Sequence, residues 1–216
     1  MAAPKSGLWR IGNRTNPLGY GRGRRSDDGK PADHRWDSPD GAYGTAYLAS
    51  SITGALGEAL GFAPFRPALD PRMAGITMSP LTEADWHRWC ESRAAIQVPM
   101  PAVARFLDIE AIETRRCIRD ALGATLAALG VKDLDVAAVR GPSREVTQAI
   151  SSWVHAQWGP EGWLYAGIAY QSRLRSGWRC WAVFDRLSLA PDPIQRPIDS
   201  LPQARGVARL LGIELP

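Results

Sequence analysis

Five side chains that could act on a nucleotide lie far apart in this 216-residue sequence, each near the end of an expected strand or helix. They are Arg10, Arg35, Tyr47, Glu58 and Ser172. Guanidinium groups match phosphate oxygens in a way that lysine cannot, and a single carboxylate can stabilise one developing positive charge. Together these residue types suit a pocket that grips a doubly anionic nucleotide.

Each of these residues also has an ordinary structural interpretation. Tyr47 at the end of a strand is typical of a core aromatic, and Glu58 of a solvated helix position. Ser172 between two strands is typical of a turn. The functional interpretation therefore depends on the order and spacing of the whole set.

The segment after Tyr47 has the apolar spacing of a helix that would position Glu58. Apolar residues fall at 52, 55, 56, 59 and 60, a preceding serine can cap the first turn, and Gly61 ends the pattern. Glu58 lies about 120° around this helix from Ile52, at the boundary between core and solvent. Its carboxylate can therefore reach a cleft beside a sheet.

The rest of the chain is predicted to contain both strands and helices. Strands are expected at 8–11, 45–49, 162–170 and 177–185, and helices at 82–93, 109–129, 144–157 and 203–211. Residues 62–80 form a proline-rich connection, and prolines interrupt the chain again at 99 and 101. The longest run of small and apolar residues, 121–131, is too short to cross a bilayer and is interpreted as a buried helix.

Length and composition indicate one globular domain over residues 1–216, with a core at about 7–189 and a tail at 190–216. Apolar residues make up 45% and charged residues 22% of the chain, ordinary values for a soluble protein. The three cysteines and three histidines share no ligand spacing, so neither a disulfide framework nor a metal site is expected. The chain begins without an apolar signal segment, so we expect a cytoplasmic protein.

The basic excess is concentrated in an insert at residues 12–33. Between Lys5 and Arg25 there are six basic residues and no acidic one, which points to an anionic partner. The alternating Gly and Arg residues at 19–25 fit a flexible loop, a loop that closes on substrate phosphates, or a nucleic-acid-binding segment. The insert belongs to a longer loop-like stretch, residues 12–40.

Several short segments, in their order along the chain, resemble the RES domain family, which is named for an Arg, a Glu and a Ser. Trp9-Arg10 resembles the family's opening Tyr-Arg, and residues 35–41, Arg-Trp-Asp-Ser-Pro-Asp-Gly, resemble its Arg-Trp-Asn-Ser-Pro-Gly. Residues 47–51, Tyr-Leu-Ala-Ser-Ser, resemble its Tyr-Leu-Ala-Glu-Ser. Glu58 then follows Tyr47 by eleven residues, where the family glutamate is expected, and residues 144–148 and 167–173 resemble later blocks that end in the serine, here Ser172.

The resemblance implies the α+β fold of ADP-ribosyltransferases, a mixed, split β core with flanking helices and a cleft. It implies a bacterial, cytoplasmic toxin that destroys NAD⁺ as its substrate, without a cofactor, and that is paired with an antitoxin protein. It also implies that Glu58, Arg10, Arg35, Tyr47 and Ser172 form the catalytic and NAD⁺-binding site. The chain departs from the family pattern at Asp33-His34, where a Gly-Gly pair is usual, in its long basic insert, and at Gln171, where proline is common.

The chemistry of NAD⁺ explains why one carboxylate would suffice. Nicotinamide is a cationic ring that leaves as a neutral base, so the leaving group needs no general acid. What needs stabilisation is an oxocarbenium-like ribose, as in glycoside hydrolysis. On this hypothesis Glu58 holds the ribose, Arg10 and Arg35 grip the pyrophosphate, Tyr47 packs on the nicotinamide, and Ser172 bonds near the nicotinamide ribose or amide.

Two other functions remain open on the sequence. The ribosyl group could be transferred to a protein or nucleic-acid acceptor by the same fold, with the basic insert recruiting the acceptor. Alternatively, the chain could be a non-enzymatic nucleic-acid-binding module, which would show steep salt dependence of binding. For an NAD⁺-cleaving enzyme we expect no membrane contact and no direct nucleic-acid contact, and the sequence leaves a homo-oligomer open.

Overall fold

The computed structural model describes residues 1–22, 34–61, 82–190 and 194–215. Within these ranges the strands are β1 Leu8–Asn13, β2 Gly21–Arg22, β3 Gly44–Ala49, β4 Arg93–Val98, β5 Phe106–Asp108, β6 Trp158–Gly159, β7 Gly162–Trp163, β8 Gly167–Gln171, β9 Arg179–Phe184 and β10 Arg196–Pro197. The helices are α1 Ile52–Gly61, α2 Glu83–Glu91, α3 Ile112–Ala128, α4 Val136–Arg140, α5 Arg144–His155 and α6 Pro202–Leu210.

Eight of these strands form one mixed sheet. Their order is β10-β4-β1-β3-β9-β8-β5, and β2 pairs with β3 beside that path. β5 and β8 run parallel, whereas the other neighbours run antiparallel, and β6 and β7 form a separate small hairpin. A mixed sheet with helices packed against it confirms the predicted α+β class.

The sheet opens between β1 and β3. β1 pairs with β4 from Leu8 to Asn13, but it pairs with β3 only through Trp9 and Ala49. Further along β3, its edge is occupied by β2, which pairs Gly21 with Thr45. The two halves of the sheet are therefore joined by a single residue pair, which leaves a gap in the middle of the fold.

The two faces of the sheet bury different sets of side chains. All six helices contribute to the core on one face, for example through Leu56, Ile118 and Ile150. The opposite face has its own cluster, which includes Leu8 and Trp181. Because neighbouring strand residues point to opposite faces, each central strand contributes to both cores, and burial on both sides fixes its register.

Local signals in the sequence account for several helix boundaries. α2 begins at the predicted capping box, in which the Thr82 hydroxyl accepts from the Asp85 N–H at 3.1 Å and the Asp85 carboxylate accepts from the Thr82 N–H at 3.2 Å. α5 begins after Ser143, whose side chain accepts from the Val146 N–H. These bonds satisfy N–H groups that a helix start otherwise leaves unpaired.

Some sequence predictions were wrong. The predicted helix at 82–93 ends at Glu91, and two strands that were not predicted, β4 and β5, lie on either side of the prolines at 99 and 101. The predicted strand at 162–170 is two strands, β7 and β8, and the predicted loop after residue 12 contains the end of β1 and all of β2. The proline-rich connection at 62–80 and residues 23–33 of the basic insert lie outside the described residues.

The interpretation of residues 121–131 as a buried helix was also wrong. Only Ile118 and Leu126 are buried in α3, so most of the run faces solvent. The reason is that much of the run is alanine, whose small side chain loses little when it stays exposed. None of the helices within the described ranges has the length and apolar character needed to cross a membrane.

Candidate active site

A pocket of about 340 Å³ lies at the gap in the sheet. β1 contributes Arg10 to its wall, β3 contributes Tyr47, α1 contributes Glu58, and the segment before β3 contributes Arg35. Four of the five residues selected from the sequence therefore meet in one cavity. Its volume is at the lower end of the range of roughly 300–1,000 Å³ that is usual for small-molecule sites.

Glu58 reaches the pocket because α1 packs unusually close to the sheet. A side-chain Cβ at Gly57 would lie 2.0 Å from the nearest ring carbon of Trp178, and one at Gly54 would lie 3.2 Å from the Cβ of Ala49. Only glycine leaves room for the Trp178 ring at position 57. The close approach brings the next residue of α1, Glu58, within hydrogen-bonding distance of Tyr170 near the end of β8.

Both carboxylate oxygens of Glu58 accept hydrogen bonds from buried hydroxyl groups. The Ser172 Oγ donates to Oε1 at 2.5 Å, and the Tyr170 Oη donates to Oε2 at 3.3 Å. Burial raises the pKa of Tyr170 well above its usual value, and the nearby Glu58 carboxylate raises it further, so this hydroxyl stays a donor. A carboxylate has about four lone-pair positions, so Glu58 can still accept from a ligand.

Ser172 forms a hydrogen bond to Glu58 but does not line the pocket. It is only 2% exposed, its Oγ also accepts from the Leu174 N–H at 3.1 Å, and its own N–H donates to the carbonyl of Trp178. Trp178 is also the residue whose ring packs on α1. One turn between β8 and β9 therefore fixes both the helix and the carboxylate.

Arg35 is buried and fixed by its surroundings. Its guanidinium donates to the carbonyl of Val139 in α4 and lies 5.3 Å from the ring of Trp36 and 5.9 Å from that of Tyr170. Burial lowers the pKa of Arg35. Its Nε is buried and has no hydrogen-bond partner among the described residues.

α5 fastens the segment that carries Arg35. The Gln148 side chain donates to the carbonyl of His34 at 3.0 Å, and the Ser151 hydroxyl donates to the carbonyl of Trp36 at 2.7 Å. The hydroxyl of Tyr43 in turn donates to Ser151 at 2.8 Å. The same two carbonyls also accept from the Asp37 N–H and the Thr45 hydroxyl, both at 3.3 Å, so α5 adds a second donor to each and helps to order the loop.

Arg10 enters the pocket from β1. One of its terminal nitrogens donates to the carbonyl of Gly19 at 2.6 Å, while the other is buried without a partner in the described part of the chain. Burial lowers the pKa of Arg10 to about 10, and the nearby Tyr20 opposes that shift. Arg10 therefore carries its charge at neutral pH but has no carboxylate to balance it within the described residues.

Tyr47 presents its ring to the pocket while its hydroxyl is engaged by the protein. The Trp36 N–H donates to the Tyr47 Oη at 3.0 Å, and that hydroxyl donates to Asp37 at 2.9 Å. Burial and the Asp37 carboxylate raise the pKa of Tyr47 well above its usual value. The ring lies 5.3 Å from that of His34, which also lines the pocket.

Three pocket residues with titratable side chains were not assigned a role from the sequence: Tyr170, Arg93 and His34. Tyr170 could have been found, because it precedes Ser172 by two residues and alternation along a strand puts such residues on one face. Arg93 could not, because it was predicted as the last residue of a helix and the strand that it begins was not predicted. No group of three potential metal ligands occurs among the described residues.

The pocket therefore contains one oriented carboxylate, that of Glu58, together with two arginines and the aromatic ring of Tyr47. Each of the two arginines has one buried nitrogen without a partner among the described residues. A model of the RES domain family matches residues 7–203, which include all five of the selected residues. No curated protein matches the chain significantly. RES domains are known in general as NAD-acting toxin domains, and because the match covers most of the 216 residues, the chain belongs to the RES domain family.

Proposed function

We propose that this protein destroys NAD⁺ by cleaving the bond between nicotinamide and ribose, as a glycohydrolase or a phosphorylase. The observation that carries the proposal is the Glu58 carboxylate, held by Ser172 and Tyr170 at the wall of a pocket that also contains Arg10 and Arg35. A single oriented carboxylate is what this reaction requires, because the leaving nicotinamide takes the bonding electrons and becomes neutral.

Glu58 acts on the sugar. As the bond to nicotinamide lengthens, positive charge develops on the ribose, and a carboxylate about 4 Å away is worth roughly 4 kcal/mol at an effective dielectric constant near 20. Its remaining lone pairs accept from ribose hydroxyls. The two protein hydroxyls bound to Glu58 are already in place before the substrate arrives, so the carboxylate does not need to reorient during the reaction.

The other site residues bind the substrate and position it. Arg10 and Arg35 donate to the pyrophosphate, and the ring of Tyr47 packs on the nicotinamide because its hydroxyl is already engaged by Trp36 and Asp37. Ser172 acts through Glu58, because its hydroxyl is bound to that carboxylate and does not line the pocket. An enzyme of this kind depletes a cofactor that the whole cell needs, so we propose that it is a toxin whose partner is an antitoxin protein.

The test is to follow NAD⁺ over time with purified protein, in buffer with and without inorganic phosphate. Glu58→Gln keeps the size and most hydrogen bonds of the side chain but removes the charge, so we expect turnover to fall by about 10²–10³-fold or more. Glu161→Gln, in the exposed turn between β6 and β7, is the matched control and should leave turnover unchanged.

The products distinguish the alternatives. Free ADP-ribose without phosphate identifies a glycohydrolase, and a phosphorylated sugar product formed only with phosphate identifies a phosphorylase. Full NAD⁺ consumption by folded Glu58→Gln protein would overturn the role of Glu58. NAD⁺ consumption accompanied by a mass increase of an added protein or nucleic acid would show transfer instead.

A further inference from the structure

We propose that Arg93 is a third anion-binding residue of this pocket and that it makes the pocket select dinucleotides, which carry a pyrophosphate, over mononucleotides. The inference rests on the proposed function and extends it, because it names the class of substrate that the same pocket favours. Arg93 lines the pocket together with Arg10 and Arg35. It comes from β4, which was not expected from the sequence.

Arg93 places a positive charge on the opposite side of the gap from Arg35. It lies at the start of β4, opposite Asn13 at the end of β1, whereas Arg35 belongs to the segment that leads into β3. Paired neighbouring strands lie about 4.8 Å apart, so β4 and β3, with β1 and the gap between them, are separated by at least roughly 10 Å. The cations therefore line both halves of the split sheet, as an extended anion would require.

Arg93 and the partner of Glu58 lie on strands that are far apart in the sheet. Glu58 accepts a hydrogen bond from Tyr170 of β8, and β8 is the fourth strand from β4 in the sheet order. At about 4.8 Å per strand, the two backbones are separated by roughly 19 Å. Arg93 therefore reaches the pocket from the side remote from Glu58, and we assign it to the phosphate that is farther from nicotinamide.

The guanidinium of Arg93 is already held in place. It lies 4.9 Å from the centre of the Trp89 ring, and one terminal nitrogen donates to the Ser92 hydroxyl at 2.7 Å. Stacking on an aromatic face fixes the plane of the guanidinium and leaves its remaining N–H groups free to donate. The entropy cost of ordering this long side chain is therefore met before a ligand binds.

The pocket arginines lack the carboxylate partner that some other arginines of the chain have. Arg88, Arg119, Arg140 and Arg179 each lie within 3.5 Å of a carboxylate oxygen. In the part of the chain that the structure describes, Arg93 has no such ion pair, and neither does Arg10 or Arg35. Half-buried positive charges that the protein leaves unbalanced in a cavity are suited to an anionic ligand.

The test compares two substrates, NAD⁺ and nicotinamide mononucleotide, which has only the phosphate nearer to nicotinamide. Arg93→Met keeps an unbranched side chain against Trp89 but removes the charge. We expect kcat/KM for NAD⁺ to fall about tenfold or more, through KM, because a charged hydrogen bond is lost. For the mononucleotide kcat/KM should change less than threefold, so the preference of the unmodified protein for NAD⁺ should shrink.

Arg88→Met is the matched control. Arg88 lies on the exposed face of α2, next to Trp89 in the sequence, and the substitution removes a charge there. It should leave the activity with both substrates unchanged. Equal losses with both substrates, or no loss with either, would overturn the assignment of Arg93. Arg93→Lys, which retains a charge without the planar guanidinium, should give an intermediate preference and provides a second measurement if the methionine variant is unstable.

A binding measurement separates this inference from the proposed function. Affinities of ADP-ribose and ribose 5-phosphate are measured by calorimetry on Glu58→Gln protein, with and without Arg93→Met. Weaker binding of ADP-ribose alone would support the inference even if the protein did not cleave NAD⁺. Cleavage of NAD⁺ together with unchanged ADP-ribose affinity would overturn the inference and leave the proposed function intact.

Discussion

The two sides of the pocket differ in how far the protein's own hydrogen bonds satisfy their polar side chains. On the α1 side, the carboxylate of Glu58 accepts from Ser172 and from Tyr170, and both donors are almost fully buried. On the arginine side, Arg10 and Arg35 each bind one backbone carbonyl and keep a buried nitrogen without a partner among the described residues.

This difference fits the roles that we propose for the two sides. A carboxylate that stabilises a short-lived cation is most effective when its orientation is fixed in advance, because no energy is then spent on reorientation. Guanidinium groups that bind a substrate need free donors, because each donor already used by the protein is lost to the ligand. On the proposed function, Arg10 and Arg35 therefore belong to the side that binds the substrate.

The largest effect on binding is expected from Arg35→Lys. Lysine keeps the charge but loses the planar fork, the contact with Val139 and the stacking on Trp36. We expect KM for NAD⁺ to rise by about 10- to 100-fold with a smaller change in kcat, because one or two charged hydrogen bonds are lost. Steady-state kinetics with NAD⁺ measures both constants.

Arg173→Lys is the control for Arg35, because Arg173 is exposed and lies near enough to act on Arg35 electrostatically. Its KM should stay within about twofold of the original value, which is the usual scatter for a surface change. A KM for Arg35→Lys that is equally unaffected would show that the free donor of Arg35 serves the fold and not the substrate.

The second prediction concerns the packing of α1, the helix that carries Glu58. Gly57→Ala would place a methyl group 2.0 Å from the Trp178 ring, so either the ring or α1 must move. Overpacking of this kind costs about 1–3 kcal/mol of unfolding free energy. Since Trp178 and Ser172 belong to the same turn, we also expect kcat to fall. Urea unfolding and steady-state kinetics measure the two effects.

Gly123→Ala in α3 is the matched control, because nothing lies within 4 Å of the added methyl group. There the same substitution should raise stability by up to about 1 kcal/mol, because alanine loses less backbone entropy than glycine in a helix. If both alanine variants had the same stability, the close contact between α1 and the tryptophan would not be what sets the position of Glu58.

The sequence supported the prediction of the fold where local patterns decide the structure. The spacing of apolar residues in α1 and the capping box at Thr82 both depend on neighbouring residues, and both were found where expected. β4 was missed because it follows α2 with only Ser92 between them, and its register is set by pairing with the distant β1. Arg93 was missed with it.

The site was predictable as a set of residues but not as a set of contacts. Motif order identified Glu58 and Ser172 although they are separated by 114 positions. Nothing in the sequence showed that the serine hydroxyl turns towards the carboxylate, because that depends on how the β8–β9 turn packs on α1. The sequence-based hypothesis therefore put Ser172 beside the substrate, and the geometry favours a positioning role.

Ser172→Ala tests that positioning role and is expected to have a smaller effect than the Arg35 and Gly57 substitutions. It removes the 2.5 Å hydrogen bond to Glu58 but leaves the 3.3 Å bond from Tyr170. We expect kcat for NAD⁺ to fall about tenfold with KM nearly unchanged, because a buried carboxylate loses one charged hydrogen bond. Tyr170→Phe should cost less, since its bond to Glu58 is longer.

The two hydroxyl groups act on one carboxylate, so their effects should not be independent. With both removed, Glu58 has no hydroxyl donor left among its described contacts, and we expect kcat to fall by more than the product of the two single losses. ADP-ribose affinity should stay unchanged in all three variants. A higher KM for Ser172→Ala with unchanged kcat would mean that the hydroxyl contacts the substrate directly, which would place a binding residue on the side of the pocket that the protein otherwise completes by itself.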